Sequence, residues 1–427
     1  MRIAIAVVTS FILIFGLGLS SYMQDKDVVL SKHDNPAGVV QQGSINSLSV
    51  PYSPSSLKVD KPEVKGIHVT SWVAGDPRLF PDLIRLIDET ELNTIVIDLK
   101  EADGRIAYDA DIPLAKSIGS IEKRIRNLDR LIEECKKHNI YKIARIVLFK
   151  DTYLAERRPD LALTSKSTGE IWRDYKGAAF TSPYIEEVQD YNIRLAEDAA
   201  RRGFDEIQFD YIRFPSDGLL SDILYPADHN EEKAISTITG FVERAKDRLS
   251  PYHVKLSIDV FGLTTLSDGV GIGQNFKQLI DRADYISPMV YPSHYWKGSY
   301  GFKSPNSAPY EIVNAALRDA IKKSVDEKQS AEVVKSKIRP WLQDFTLGPP
   351  HYGPEEVRIQ IKAAQEHGIK EWLLWNPGVH YTREALLPYW KPAAVHASLE
   401  TEDANPVISQ VEQESSDTPQ QATETLQ

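Results

Sequence analysis

Cysteine and excess basic charge are both scarce in this sequence. Cys135 is the only cysteine among 427 residues, which rules out an intramolecular disulfide and a cysteine-rich zinc site. Lysine and arginine number 50 against 61 aspartate and glutamate residues, and seven of these acids fall in residues 395–427, which contain no lysine or arginine. The rest of the chain is therefore close to neutral. Because nucleic-acid binding needs a basic surface, the composition gives no electrostatic support for a nucleic-acid partner.

Several catalytic and cofactor motifs are also missing. The sequence contains no Walker loop, no GxSxG turn, and no glycine-rich phosphate turn after its first predicted strand. Four histidines (His68, His294, His351 and His380) lie near predicted strand ends or loops, but none has the paired spacing of HxH or HExxH. The sequence therefore predicts neither an esterase nor an NTPase, and it predicts no metal and no cofactor.

Long apolar runs are rare, and the longest one is at the N-terminus. Residues Ile3–Leu19 are almost entirely apolar and follow Arg2. As a helix they would span about 25 Å, slightly less than the roughly 30 Å hydrocarbon core. We expect residues 1–22 to be a signal peptide or a short uncleaved anchor, with a buried core helix as the alternative. The protein is then exported, and is either secreted or tethered to the outer face of the cytoplasmic membrane by this segment alone.

Two further segments lack a sustained apolar pattern. Residues 23–62 are rich in serine, proline, glutamine and asparagine, which predicts a flexible linker. Residues 395–427 are acidic and almost free of aromatic residues, which predicts a disordered tail. The folded domain should therefore occupy residues 63–394.

Within this domain, eight short runs rich in β-branched residues alternate with amphipathic stretches. The runs are Val64–Thr70, Thr94–Leu99, Lys142–Phe149, Glu206–Phe214, Val254–Phe261, Tyr285–Tyr291, Ile338–Phe345 and Trp372–Asn376. The clearest helical patterns between them are Phe80–Glu89, Ile121–His138, Ile185–Arg202, Ile235–Leu249, Gly273–Asp281 and Pro354–His367. This alternation predicts an α/β fold, a (β/α)8 TIM barrel with one catalytic-type domain.

The connections after the second, third, fourth and sixth strands are long and rich in Tyr, Trp, Pro and Gly. They span roughly residues 100–120, 150–184, 211–232 and 292–310. In a barrel, these loops lie at the C-terminal ends of the strands, where active sites are built. Long aromatic loops in this position favour a cleft for a carbohydrate or another extended polar ligand.

Polar residues are unexpected on parallel strands that are buried on both faces, so those at strand ends require a structural or functional explanation. Asp210 ends the fourth predicted strand, Asp259 lies near the end of the fifth, and Asp344 near the end of the seventh. Two facing carboxylates are what glycoside hydrolysis requires, one as acid and one as nucleophile or base. We therefore take these three as catalytic candidates, with Asp210 first. The structural alternatives are a buried acid paired with a basic side chain, or a residue that caps a turn.

Other polar and aromatic residues at the same strand ends are candidates for binding substrate. Two-residue alternation should place Asp98 and Lys100 on one face of the second strand. Lys100 and the adjacent Glu101 could instead simply pair with Asp98. Aromatic rings could stack on sugar rings, although each could equally pack in the core. The predicted substrate-binding residues are Asp98, Lys100, Glu101, Arg213, Tyr291, His294, Gln343, Trp375 and Asn376.

Several of these stretches, in the same order along the chain, resemble the bacterial putative glycosyl hydrolase domain family. The most distinctive is Gly203–Pro215, with the sequence GFDEIQFDYIRFP. The others are Lys65–Thr70, Asn93–Lys100 with Asp103 and Gly104, Asp259–Gly262, Ser287–His294 and Trp341–Phe345. The resemblance covers about residues 64–392. It implies a (β/α)8 barrel in an exported protein, distantly related to barrels that cleave polysaccharides.

The strand-four motif departs from that of chitinase-type barrels. Those enzymes carry the series DxxDxDxE, which ends in a glutamic acid. The corresponding positions here are Asp205, Gln208, Asp210 and Ile212. A chitinase mechanism through the last position is excluded, so a catalytic Asp210 would be a nucleophile or a base.

The sequence thus predicts an exported glycosidase that acts on an envelope or extracellular polysaccharide. A barrel that binds a glycan or an envelope partner without cleaving it is the main alternative. A second acid within about 10 Å of Asp210 would favour catalysis, because paired glycosidase carboxylates lie about 5–9.5 Å apart.

Overall fold

The computed structural model describes residues 61–267 and 271–387. The predicted N-terminal segment 1–22, nearly all of the linker 23–62 and the tail 395–427 lie outside the described residues, so the predictions about them stay predictions. Within the described ranges, no helix has both the length and the apolarity needed to cross a membrane.

Eight parallel strands close into a barrel in the order β1-β2-β3-β5-β7-β8-β9-β10. The barrel strands are β1 (Lys65–Val69), β2 (Thr94–Lys100), β3 (Tyr141–Val147), β5 (Glu206–Asp210), β7 (Lys255–Phe261), β8 (Tyr285–Met289), β9 (Trp341–Gln343) and β10 (Trp372–Trp375). Two short strands outside the barrel, β4 (Thr164–Ser165) and β6 (Ile223–Leu224), pair antiparallel and join two of the long loops. The predicted (β/α)8 fold is confirmed.

Eleven helices are described, and the longer ones pack against the outside of the barrel. They are α1 (Ser71–Gly75), α2 (Leu79–Asp88), α3 (Pro113–Ile118), α4 (Leu128–Lys137), α5 (Thr152–Arg157), α6 (Glu186–Arg201), α7 (Glu231–Leu249), α8 (Phe276–Arg282), α9 (Pro309–Ser324), α10 (Ala331–Lys337) and α11 (Pro354–Glu366). Helix α4 begins later than its apolar pattern predicted because Asn127 caps it, accepting a hydrogen bond from the Arg130 amide. Helices α1, α3, α5, α9 and α10 were not among the predicted helices.

The main apolar core lies between the strands and the surrounding helices. Outward-facing residues such as Ile97, Ile146 and Phe209 are fully buried in it. A smaller apolar cluster, which includes Val96, Ile143, Trp341 and Leu373, fills part of the barrel interior. Polar side chains occupy the rest of the interior, toward both ends of the strands.

Two local irregularities determine which side chains reach the C-terminal mouth. Strand β5 ends at Asp210, four residues earlier than the apolar run predicted, because Tyr211 adopts a left-handed backbone conformation with φ of 50°. In β2, the pairing with β3 shifts register between Asp98 and Lys100. This irregularity interrupts the alternation and turns Lys100 away from the face that Asp98 occupies.

Candidate active site

A single arginine occupies the centre of the polar cluster at the C-terminal mouth. Arg145 extends from β3 into the barrel, where its Nη1 lies 2.5 Å from Oδ1 of Asp98. The same guanidinium pairs with Oδ2 of Asp210, and its Nε lies 3.9 Å from Oδ2 of Asp259. All four side chains are buried. One cation therefore holds together acids from β2, β5 and β7.

The first of these acids, Asp98, is also bound to the strand on its other side. Nε2 of His68, on β1, lies 2.8 Å from Oδ2 of Asp98. Burial opposes ionisation of Asp98, but the charges and hydrogen bonds of His68 and Arg145 outweigh it and lower its pKa to about 2. The His68 ring stacks on Trp375 at a centroid distance of 3.9 Å. Asp98 is thus a permanent anion that partly neutralises Arg145.

Asp210 is positioned by the abrupt end of its strand. Its Oδ1 accepts a hydrogen bond from the backbone N–H of Tyr211 at 2.5 Å, while Oδ2 faces Arg145. The residue is 6% exposed, and it lines the cavity at the barrel mouth.

Asp259 has a different electrostatic environment. Burial, reinforced by the negative charge of Asp210, raises the pKa of Asp259 well above its usual value. Arg145 opposes this shift, as does the indole N–H of Trp341, which donates to Oδ1 of Asp259 at 2.7 Å. The site therefore brings together one carboxyl group that favours its proton and another that pairs with a cation.

The cavity above these acids is lined by aromatic and charged side chains. Its aromatic wall comprises Phe180, Tyr211, Phe261, Tyr291, Trp341 and Trp375. Its charged residues, besides Arg145, Asp210 and Asp259, are Lys150, Asp174, Lys176, Arg213 and Asp217. A groove of this kind can present both flat apolar surfaces and hydrogen-bonding groups to a polar ligand.

Six of the predicted site residues line this cavity: Asp210, Asp259, Arg213, Tyr291, His294 and Trp375. Burial, with the nearby Asp259 and Asp210, raises the pKa of Tyr291 well above its usual value, so the phenol remains protonated. Burial also lowers the pKa of His294 to about 4. Both rings are therefore neutral hydrogen-bonding groups at neutral pH.

The third catalytic candidate, Asp344, does not line the cavity. Its two oxygens accept hydrogen bonds from the Thr382 hydroxyl at 2.6 Å and from the Thr382 backbone N–H at 2.9 Å. Burial raises its pKa to about 6, although the hydrogen bonds from Thr382 oppose the shift. These contacts attach the segment after β10 to the end of β9.

Lys100 and Glu101 also lie outside the cavity lining. Lys100 is fully buried between β2 and the helices, where its Nζ lies 2.7 Å from Asp151 and donates to Asn192 at 2.9 Å. The alternation that was to place it beside Asp98 is broken by the register shift in β2. Glu101 accepts a hydrogen bond from Ser71 at 2.5 Å and pairs with Arg124 at the rim.

Gln343 and Asn376 hold loops together. The Gln343 side chain accepts from the Ser293 backbone N–H at 3.0 Å and donates to the Phe345 carbonyl at 2.9 Å. Asn376 donates to the carbonyls of Asp344 and His380 at 2.5 and 2.6 Å. Their amide groups are thus occupied by the backbone around the mouth.

The residue at the centre of the cluster, Arg145, was not among the site residues predicted from the sequence. Arg145 lies in the middle of β3, whereas the candidate residues were chosen among polar side chains at the ends of the strands. A charged residue within a run predicted to be buried on both faces was the signal that could have identified it. His68 and Trp341, which contact Asp98 and Asp259, carried no comparable signal.

Among the described residues, no group of three or more His, Cys, Asp or Glu side chains is arranged to hold a metal ion. The acids at the mouth instead converge on a guanidinium.

The chain is similar to several proteins of known structure. A hypothetical protein from Ruminiclostridium thermocellum is 33% identical, over 45% of this chain and 97% of that one, with a TM-score of 0.41. The PgaB (BpsB) glycoside hydrolase domain from Bordetella bronchiseptica is 13% identical, over 77% of this chain and all of that domain, with a TM-score of 0.57. The Bacillus megaterium spore cortex-lytic enzyme SleL is 12% identical, over 79% and 76% of the two chains, with a TM-score of 0.46. No curated protein matches the sequence significantly.

The likeness to the Bordetella domain supports the barrel fold. A family match is more specific, because the model of the putative glycosyl hydrolase domain aligns with residues 66–381, most of the chain. This range contains all eight barrel strands except the first residue of β1, and all of the acids around Arg145. The chain therefore belongs to the putative glycosyl hydrolase domain family.

Proposed function

We propose that this protein is a glycosidase that cleaves an envelope or extracellular polysaccharide, with Asp210 and Asp259 as the reacting carboxyl groups. One observation carries the proposal: the two acids contact the same guanidinium and line the same cavity, where Asp210 forms an ion pair with Arg145 and the pKa of Asp259 is raised well above its usual value. Pairs of acids whose environments separate their protonation behaviour are typical of acid–base catalysis.

The roles follow from these environments. Asp259 favours its proton, so it donates to the glycosidic oxygen as the bond to the leaving sugar breaks. Asp210 attacks the anomeric carbon or takes a proton from the attacking water. Both acids lie within 4 Å of the Arg145 guanidinium, which keeps the two carboxyl groups within about 10 Å of each other, as the carboxyl pairs of glycosidases are. In the first route, water then displaces the Asp210 carboxylate from the anomeric carbon and gives a proton to ionised Asp259. In the second, the deprotonated water itself forms the new bond to that carbon.

The charge balance around Arg145 favours a positively charged transition state. An arginine next to a nucleophilic carboxylate would by itself repel the developing oxocarbenium ion. Asp98 offsets this charge because it stays ionised, with a pKa of about 2. The Asp98 carboxylate therefore offsets part of the guanidinium charge, so that less positive charge opposes the stabilisation of the cationic sugar by Asp210.

Aromatic rings around the acids fit a saccharide substrate. Trp375, Tyr291 and Phe261 line the cavity, and their faces match the C–H faces of sugar rings. The apolar N-terminal run, residues 3–19, favours export, which would bring the enzyme to polysaccharides outside the cytoplasmic membrane.

A barrel that binds glycans without cleaving them is the second candidate. The observation that favours it is that Asp210 is engaged on both oxygens, by Arg145 and by the Tyr211 N–H. An acid held in this way could serve only to order the mouth.

An activity screen separates the two candidates. The full chain is incubated with a panel of bacterial polysaccharides, and the release of reducing ends is measured beside binding of the same polymers. We expect release by the parent protein and its loss in Asp259→Asn. Asp198→Asn is the matched control, because Asp198 is a buried acid on α6 that lies away from the cavity. Its Oδ2 accepts a hydrogen bond from the Tyr108 hydroxyl at 2.8 Å. Binding without release by the parent would favour the non-catalytic barrel.

A further inference from the structure

Arg213 differs from the other buried arginines. Three arginines are buried in the described structure: Arg145, Arg213 and Arg339. Arg145 pairs with three aspartates, and Arg339 pairs with Glu206 and Glu371. Arg213, which is 6% exposed, forms no ion pair with any carboxylate in the described ranges.

The guanidinium of Arg213 faces the cavity and is surrounded by aromatic rings. Nη1 donates to the Phe214 carbonyl at 2.9 Å, the one hydrogen bond that the side chain makes with described residues. Its carbon Cζ lies 4.5 Å from the centre of the Phe261 ring and 4.9 Å from that of Tyr211. These rings keep water away from the cation without neutralising it. Burial accordingly lowers the pKa of Arg213, although the nearby acids oppose the shift.

Two lysines reinforce the positive charge on this side of the cavity. Lys150 and Lys176 line it together with Arg213, and neither forms an ion pair within the part of the chain that the structure describes. The Lys150 ammonium lies 5.1 Å from the centre of the Tyr211 ring, on which Arg213 also packs. Three cations without ion-pair partners therefore line one wall.

Two acids lie on the same wall and could reduce this charge. Oδ1 of Asp174 accepts hydrogen bonds from the backbone N–H groups of Lys176 and Ala178, both at 2.9 Å. Burial, with the charge of Asp174, raises the pKa of Asp217. Even with both acids ionised, the three cations leave this wall with a net positive charge. A protonated Asp217 would increase the excess and could donate to an anion.

We propose that this wall binds an anionic substituent of the saccharide, a carboxylate or a sulfate, through the guanidinium of Arg213, so that the substrate is an acidic glycan. The inference rests on the proposed function only in taking the bound glycan to be the substrate; binding of the anion does not depend on cleavage. A planar guanidinium can bind either anion through two parallel hydrogen bonds. Because the aromatic rings lower the local dielectric, such a pair is stronger than one in water.

Binding of matched oligosaccharides by the full chain tests the inference. The probes are an oligosaccharide of uronic acids, the same oligosaccharide with its carboxylates reduced to alcohols, and a sulfated analogue of the reduced form. We expect the parent to bind the uronic acid form at least about tenfold more tightly than the reduced form, with a preference that weakens as salt is added. Tighter binding of the sulfated form than of the uronic acid form would identify sulfate as the substituent.

Arg213→Met is the deciding variant, and Arg85→Met is its control because Arg85 lies on the exposed surface of α2. Arg213→Met should lose the preference for the charged probe but keep its affinity for the reduced one. It should also melt no lower than the parent, because an uncompensated buried charge is removed. Arg213→Lys should retain part of the preference.

The outcomes separate this inference from the proposed glycosidase activity. Equal binding of charged and reduced probes by the parent overturns the acidic-glycan inference, even if neutral polysaccharides are cleaved. A preference that survives in Arg213→Met overturns the assignment to Arg213. Binding of the uronic acid probe that depends on Arg213, without any cleavage, supports the inference while the glycosidase proposal fails.

Discussion

Arg145 on β3 and Asp210 at the end of β5 form a buried ion pair at the barrel mouth. Removing one partner of a buried pair is destabilising, because it leaves the charge of the other partner less well compensated. Variants at this site will therefore change stability as well as chemistry. Each activity test must be read beside a measurement of folding on the same preparation.

Asp210→Asn should reduce turnover by at least about 10²-fold, equivalent to about 2.7 kcal/mol of transition-state stabilisation. The amide is nearly isosteric and can still accept the hydrogen bond from the Tyr211 N–H. The amide lacks the negative charge that stabilises the cationic sugar in the transition state. Turnover is measured as reducing-end release per folded molecule, with the folded fraction taken from thermal unfolding.

Glu206→Gln is the matched control for Asp210→Asn. Glu206 lies at the opposite end of the same strand, where it pairs with Arg339 at 2.6 Å and accepts from the Tyr141 hydroxyl at 3.1 Å. It shares burial and a buried arginine partner with Asp210, but not the cavity. Both variants should lose stability, and only Asp210→Asn should lose turnover. Parent-like turnover in both would assign Asp210 a purely structural role.

The pH profile of kcat/KM should report the proton on Asp259. An acid that must donate its proton is active below its pKa, and activity falls as the pH rises through that value. Because burial and Asp210 raise the pKa of Asp259, the alkaline limb should lie well above the usual range of an aspartate. The Trp341 indole N–H donates to Asp259 and stabilises its ionised form. Trp341→Phe should therefore move the alkaline limb to higher pH, and an unchanged limb would remove Asp259 from the role of acid.

Most of the fold could be predicted from the sequence because its signals are local. Parallel barrel strands are buried on both faces, so runs such as Lys142–Phe149 stand out from the amphipathic helices between them. The exact strand ends could not be read in this way. The end of β5 depends on one left-handed residue, Tyr211, and its apolar run continues beyond that turn.

The candidate site was less predictable because it depends on pairing between distant strands. Asp210 and Asp259 were found from their positions at strand ends, but their shared partner Arg145 lies deeper in β3. Lys100 was placed in the site by simple alternation, whereas one register shift in β2 turns it outward to Asp151. A single irregularity of this kind reverses the face of a side chain and leaves no mark on the apolar pattern.

Lys100→Met should destabilise the barrel without a specific effect on turnover. Lys100 is fully buried against Asp151 and does not line the cavity, so its loss should cost about 3–5 kcal/mol. In an Asp151→Asn background the same substitution should lower the free energy of unfolding by less, because no Asp151 carboxylate is then left buried without a partner. A double-mutant cycle of urea unfolding measures the difference. Loss of turnover with stability retained would instead support the predicted substrate-binding role of Lys100.

Asp344→Asn should change how the free energy of unfolding depends on pH and should leave turnover close to that of the parent. Burial raises the pKa of Asp344 to about 6, from 3.8 for an unperturbed aspartate, so the folded state binds this proton more tightly than the unfolded state does. The stabilisation that protonated Asp344 contributes to the fold is complete below about pH 4 and is lost as the pH rises through about 6. The parent should therefore lose up to about 3 kcal/mol relative to Asp344→Asn across this window.

Urea unfolding of the parent and of Asp344→Asn at pH 4, 5, 6 and 7 gives this difference. The free energies of unfolding of the two proteins should also differ by an amount independent of pH, because the amide can accept only one of the two hydrogen bonds from Thr382. Only the change of this difference with pH reports the titration of Asp344. Turnover per folded molecule should stay close to that of the parent, since Asp344 faces Thr382 rather than the cavity. A loss of about 10²-fold or more, with stability that does not vary between pH 4 and 7, would make Asp344 the second catalytic carboxyl group and displace Asp259 from that role.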